Sequence, residues 1–296
     1  MPSDAAIDGS AALAPEAQVQ GGVRREIILR VVSAAILAPL GVWSVHVGGW
    51  MLAIATGLCA VLASAEWTRM AAKTSPAWTK LALHVVLAAG AAGAVAVGHI
   101  SIELVAIVAL GAAAASAGLA GLSKLPMSSM AFGAIYVSFP FGAFICIREV
   151  HPDGRLFLFA LLAIVWATDI AAYFAGRGFG GPLLSPKDSP NKTWTGAIGA
   201  LVCACLAGAA VARAAGGDFN HWLVAGLILS IVAQAGDILE SRFKRLFGVK
   251  DTSGIVPGHG GVLDRLDALM AAVAVSSLVI RFAPALAPGF AAGIGG

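Results

Sequence analysis

Nine times along the chain a polar break closes an apolar run of about the length that a helix needs to cross a bilayer. The runs are residues 31–47, 49–65, 81–98, 101–121, 130–147, 156–175, 195–213, 221–239 and 263–286. That repetition dictates an all-α, polytopic integral membrane bundle of about nine transmembrane helices. It excludes a water-soluble core, because 59% of the residues are hydrophobic and only 12% are charged, about half the charge of an ordinary soluble domain. Gly, Ala and Ser are plentiful inside the runs and predict close helix packing.

The basic residues then orient the bundle. With nine spans and a cytoplasmic amino terminus, fifteen of the nineteen Lys and Arg residues fall in cytoplasmic segments, and only Arg148, Arg155, Arg213 and Arg281 fall outside. Residues 1–25 open without a basic n-region and are rich in Ala, Gly, Pro and Gln, so they read as a disordered cytoplasmic tail rather than a signal peptide. Residues 26–150 read as amino-terminal transmembrane helices. Residues 151–290 read as a catalytic region with cytoplasmic loops at 176–194 and 240–262. Cys59, Cys146, Cys203 and Cys205 lie in apolar runs without metal-ligand spacing and read as buried thiols. His46, His84, His99, His151 and His221 are scattered singly. Trp43, Trp50, Trp67, Trp78, Trp194 and Trp222 fall near span ends and read as interfacial anchors.

The chemistry concentrates between residues 150 and 270, where helix ends carry carboxylates at a depth at which they need a partner or a cation. The segment from Gly236 to Asp267, GDILESRFKRLFGVKDTSGIVPGHGGVLDRLD, is the stronger signal. Asp237 and Glu240 share one helix face, and Asp264 and Asp267 share another, each pair three residues apart. Brought together, such pairs suit Mg²⁺, a hard cation that also takes substrate phosphate oxygens. Lys244, Arg245, Lys250 and Arg265 can neutralise the remaining phosphate charge. Gly254, Gly258, Gly260 and Gly261 permit close backbone approach, so main-chain N–H groups could cradle phosphate. No GxxxxGK[ST] run occurs, which removes the P-loop reading.

The segment from Ala167 to Gly196 is the second signal. Asp169 lies near a helix end, and Arg177, Lys187, Ser189, Lys192 and Thr193 follow in a stretch punctuated by Gly and Pro, leading into a helix amino end where anions are favoured.

These residues carry a resemblance. SRFKRLFGVKDTSGIVPGHGGVLDRLD resembles the signature of phosphatidate cytidylyltransferases, also called CDP-diacylglycerol synthases, and the upstream AYFAGRGFG and SPNKTW blocks resemble the same family over roughly residues 160 to 270. The resemblance implies that phosphatidic acid attacks the α-phosphorus of CTP, giving CDP-diacylglycerol and pyrophosphate with Mg²⁺, and with room for a monovalent cation such as K⁺. It implies a homodimer in the cell (inner) membrane with its site facing the cytoplasm, and no nucleic-acid partner. It carries over Asp237, Lys250, His259, Asp264 and Asp267 as catalytic residues, with Asp237, Asp264 and Asp267 on the metal. Asp169 and Lys192 come from the upstream block. Ala268, Val256 and Thr195 depart from residues common in the family.

Two other functions fit parts of the pattern. A secondary transporter would also use small-residue helices and intramembrane charge, but the charges sit at helix ends and no inverted repeat is evident. A CTP-dependent lipid-alcohol kinase would need the same metal and phosphate groups. A CDP-alcohol phosphotransferase is disfavoured, since no D-G-x₂-A-R run occurs.

Overall fold

A computed structural model describes residues 14–255 and 260–287, with side chains described from residue 31. The described residues form nine α-helices: α1 (Ala14–Val47), α2 (Gly49–Ala71), α3 (Ala77–Val97), α4 (Ile102–Leu122), α5 (Met127–Val150), α6 (Gly154–Phe179), α7 (Trp194–Ala215), α8 (Phe219–Leu246) and α9 (Leu263–Phe282). Between α6 and α7 lies a short antiparallel hairpin of β1 (Leu183–Ser185) and β2 (Ser189–Thr193). Seven helices, α2 to α8, are long and apolar enough to cross a membrane. Among the described residues the apolar stretch of α1 runs over Val31–Val47, and α9 carries Asp264, Arg265, Asp267 and Arg281 within its twenty residues. The chain is a polytopic helical membrane protein.

Local chemistry sets the helix ends. Ser101, Thr193 and Asp218 cap α4, α7 and α8, each side chain accepting a backbone N–H of the first turn. At the other end of α8 the Gly248 N–H donates to the Arg245 carbonyl (3.1 Å) and the Val249 N–H to the Lys244 carbonyl (2.9 Å), with Gly248 at φ +67°. This paired closure needs a left-handed residue, which glycine supplies without strain.

α5 is the central helix and packs on α2, α3, α4, α6 and α9. Small residues permit it: a Cβ on Gly133 would fall 1.8 Å from the Trp67 indole nitrogen. In lipid, where apolar burial gives little drive for association, such close packing is a main source of helix adhesion. A second layer runs α6 on α7, α7 on α8 and α8 on α9. Gly236 sets the α8–α9 approach, since a Cβ there would fall 2.5 Å from the Ala271 Cβ and 3.0 Å from the Asp267 carbonyl oxygen.

The helices alternate in direction, and their contacts sort into two ends. At one end Arg148 of α5 donates to the Val45 (2.7 Å) and His46 (3.1 Å) carbonyls that finish α1, and Arg281 of α9 pairs with Glu103 of α4. At the other end the last turns of α2, α6 and α8 meet the first turns of α7 and α9.

Several sequence expectations are corrected. Helix α1 begins at Ala14, within the 1–25 stretch expected as a tail, and residues 1–13 lie outside the described residues. The all-α expectation holds, with one short hairpin added inside the 176–194 loop. That loop also begins later than expected, since α6 runs to Phe179 and places Arg177 on a helix. The 240–262 loop likewise starts after Leu246, so Lys244 and Arg245 are helical. Trp67 and Trp222 are not interfacial anchors: they are 1% and 0% exposed and belong to the core, whereas Trp43, Trp50, Trp78 and Trp194 are exposed.

Candidate functional site

Five carboxylates face one another at the end of the bundle where α6, α8 and α9 meet. Asp169 comes from α6, Asp237 and Glu240 from α8, and Asp264 and Asp267 from α9. The tight α8–α9 approach at Gly236 places Asp267 within electrostatic range of both Asp237 and Asp169. Asp267 and Glu240 are 7% and 2% exposed, so water screens neither well.

Two lysines bring opposite charge into this group. The hairpin aligns Leu183 with Thr193 and Ser185 with Ser189, and the Trp194 N–H extends it by donating to the Pro182 carbonyl (3.0 Å). At its base the Thr195 hydroxyl donates to the Gly180 carbonyl, and the Thr193 hydroxyl oxygen accepts from the Gly196 N–H (3.1 Å). The hairpin so fixed delivers Lys192, whose ammonium group pairs with the Asp237 carboxylate. Lys244, in the last turn of α8, lies between two acids, 2.8 Å from Asp264 Oδ1 and 2.6 Å from Glu240 Oε2. The Glu240 contact is an ion pair without hydrogen-bond alignment, and both Glu240 oxygens are buried without a hydrogen-bond partner among the described residues.

The segment after α8 is organised by carboxylates rather than by secondary structure. Asp264 Oδ2 accepts from the Gly261 N–H (2.9 Å), the Thr252 N–H (3.1 Å) and the Thr252 hydroxyl (2.9 Å). Glu66, far away in sequence on α2 and 0% exposed, completes the arrangement. Its Oε1 accepts from the Val262 N–H (2.9 Å) and its Oε2 from the Leu263 N–H (2.8 Å), two donors at the start of α9 that the helix itself leaves without a partner. The Ser253 and Thr252 hydroxyls also reach Glu66. Beside it, Trp67 packs with Phe132 and Tyr136 of α5, with Phe243 of α8 and with Phe247 just beyond it, joining α2 to the helix that carries Asp237.

Most sequence-predicted residues thus come to one end of the bundle. Arg265 lies within electrostatic range of Asp169. Arg245 donates to the Val249 carbonyl (3.4 Å) and closes the end of α8. Ser189 pairs across the hairpin, and the Thr193 hydroxyl serves as a helix cap. The Gly261 N–H, expected to face phosphate, is donated to Asp264 instead, and Gly260 adopts φ +87° next to it. Lys187 and Lys250 are exposed, and they and Arg177 make no hydrogen bond or ion pair among the described residues. His259 lies outside the described residues. Sequence reasoning missed Glu66 altogether. It set Glu240 beside Asp237 but left it out of the site.

The chemistry of the donor set is all-oxygen on one side and ammonium on the other. Among the described residues no three His, Cys, Asp or Glu side chains converge into a ready-made metal cluster. Mg²⁺ asks for less, since one or two protein carboxylates with waters and substrate phosphate complete its octahedron. The Glu240 oxygens without hydrogen bonds, and the lysines held against Asp237 and Asp264, mark a place where positive charge is needed. The residues fit a divalent cation bound together with a phosphorylated ligand.

Comparison with known proteins points the same way. The family model described as the cytidylyltransferase family matches residues 28–283. A phosphatidate cytidylyltransferase of Brucella suis biovar 1 (strain 1330) is 39% identical over 254 residues, covering 83% of this chain and 90% of the relative. One of Brucella abortus biovar 1 (strain 9-941) is 38% identical over the same coverage. Another, of Staphylococcus aureus (strain COL), is 42% identical over 142 residues, 47% of this chain and 55% of that relative.

Proposed function

Since the chain belongs to the cytidylyltransferase family, we propose that it transfers the cytidylyl group of CTP to phosphatidic acid at the carboxylate–lysine site, with release of pyrophosphate. A phosphate oxygen of the lipid attacks the α-phosphorus of CTP, a new P–O bond forms, and the bond from that phosphorus to the bridging oxygen of the β-phosphate breaks. No side-chain nucleophile is needed, because the lipid phosphate is already ionised near neutral pH. The protein's contribution is alignment and charge stabilisation.

Asp237, Asp264 and Asp267 would hold Mg²⁺, which when bound supplies charge neutralisation on the triphosphate. Lys192 pairs with Asp237, and Lys244 with Asp264 and Glu240. Both ammonium groups are then within reach of phosphate oxygens brought to those carboxylates. Lys192 on its hairpin is suited to the lipid headgroup or the α-phosphate. Lys250 and Arg245, both exposed after or near the end of α8, would be available to a triphosphate. The concentration of basic residues at this end of the bundle supports a cytoplasmic orientation, with CTP arriving from water and lipid from between the helices.

The observation that carries the reading is the meeting of α6, α8 and α9 carboxylates with two lysines at one end of a membrane bundle. Purified protein in mixed micelles, given labelled CTP and phosphatidic acid, is expected to form CDP-diacylglycerol and to stop when the divalent cation is chelated. Absence of product with Mg²⁺ present would reject the reading. A product that carries only phosphate, identified by mass spectrometry, would replace it with a kinase.

A further inference from the structure

Glu66 is a buried acid with no ion-pair partner among the described residues, and it sits on a helix that contributes nothing else polar to the site. A carboxylate in that position is tolerated only when its oxygens are filled by hydrogen bonds. Three donors are committed to them, the Val262 and Leu263 N–H groups and the Ser253 hydroxyl, and the Thr252 hydroxyl lies within reach as a fourth. Two of the four are the free N–H groups at the start of α9, where negative charge is favoured by the helix dipole. The fit is close. A Cβ on Gly261 would fall 1.8 Å from the Thr252 hydroxyl oxygen and 2.8 Å from both Glu66 oxygens, so only glycine lets the chain pass between them.

Thr252 and Gly261 are also the residues that hold Asp264, through the two Thr252 donors and the Gly261 N–H. The Thr252 hydroxyl has one proton and lies 2.9 Å from Asp264 and 3.2 Å from Glu66, so it can serve either acid but not both at once. Glu66 and Asp264 therefore grip the same short stretch of chain from opposite sides. We propose that Glu66 is a positioning residue of the cytidylyl-transfer site: an acid from the amino-terminal helices that pins the start of α9 together with Thr252 and Ser253, and so fixes the Asp264 carboxylate toward the divalent cation. The inference rests on the reading of the site given above.

Outer partners of metal ligands typically contribute a factor of about 10 to 100 in metal affinity or activity. Glu66→Gln keeps the shape but removes the charge and turns an amide N–H₂ toward N–H donors. It is expected to raise the Mg²⁺ concentration for half-maximal activity and to lower kcat by about tenfold or more each, with the KM for phosphatidic acid unchanged. Glu66→Asp is expected to fall between the two. A second readout needs no activity: trypsin should cut after Lys250 about tenfold faster in Glu66→Gln, and in Gly261→Ala, than in the unaltered protein, because the segment must open locally to enter the protease.

An unchanged Mg²⁺ requirement with unchanged cleavage would overturn the proposal. So would a loss of thermal stability with the Mg²⁺ requirement unaltered, since that pattern belongs to a packing role alone. If the unaltered protein makes no CDP-diacylglycerol, the functional reading fails, while the cleavage comparison still decides whether Glu66 holds the segment.

Discussion

Residues 183–193 keep their shape with main-chain hydrogen bonds across an antiparallel pair, whereas Thr252, Ser253 and the turn from Gly261 to Leu263 are held by side-chain carboxylates that reach in from α2 and α9. Both segments end at the same group of acids. The hairpin needs little of its own sequence: a glycine-rich entry, a capping threonine at its exit and one lysine aimed inward. Its backbone groups satisfy one another, so substitution of most of its side chains leaves the frame standing. The other segment has no regular ladder. Its N–H groups depend on Glu66 and Asp264, and the loss of either acid leaves several donors without a partner at once. Geometry and charge are separable in the first segment and fused in the second.

The sharpest way to break that contrast is at Asp264. Asp264→Asn removes a carboxylate proposed to hold Mg²⁺ and places an amide where an N–H acceptor is required by Gly261 and Thr252. Turnover is expected to fall by about a hundred- to a thousandfold, the scale seen when one preorganised electrostatic contact is removed from an active site, while membrane insertion measured by detergent-solubilised yield stays normal. A variant retaining a tenth of the activity would show that Asp264 serves the loop and not the chemistry.

The same contrast explains what could be read in the sequence. The nine apolar runs correspond to nine helices among the described residues, seven of them long and apolar enough to cross a membrane, since a run of about twenty residues has few alternatives to a helix in lipid. The i, i+3 carboxylate pairs gave the faces of α8 and α9 correctly, because side-chain spacing on a helix is fixed. The helix ends were less legible: α6 and α8 continue into polar sequence, where periodicity no longer marks the helix. The hairpin was hidden because SPNKT contains a proline and few strand-favouring residues, and only Thr193 suggests it. Glu66 is hidden because the second apolar run ends at residue 65, which leaves the acid just outside it. In the structure Arg69 is exposed and Glu66 turns inward, so the available signal was a lone acid at the edge of an apolar run.

The lysines test the comparison one step down in size. Lys192 comes from the self-supporting hairpin and is partly exposed, with Asp237 as its partner; Lys244 comes from the helix beside the carboxylate-held segment and sits between two acids that are 3% and 7% exposed. Lys192→Met is expected to lower kcat/KM about ten- to a hundredfold, the range for lost charge-assisted hydrogen bonds, with little change in thermal midpoint. Lys244→Met should lower activity and also destabilise the fold by about 3 kcal/mol, since a buried acid pair loses its cation. Equal thermal midpoints for the two variants would contradict the distinction between the segments.

The smallest effect is expected at Thr193, and it separates the two roles that its hydroxyl could fill. As a helix cap, the oxygen accepts the Gly196 N–H and lies 3.0 Å from the Thr195 hydroxyl; as a substrate contact, it would bind phosphate directly. The structure commits the oxygen to the cap. Thr193→Ala should therefore remove about 1 kcal/mol of stability and, because Thr195 still ties the hairpin to Gly180, reduce turnover by no more than the roughly fivefold equivalent of that energy. Thr193→Ser should restore both, as a serine oxygen caps equally well. A loss of turnover approaching that of Asp264→Asn, with stability unchanged, would place the hydroxyl on the substrate and make the hairpin a catalytic element in its own right.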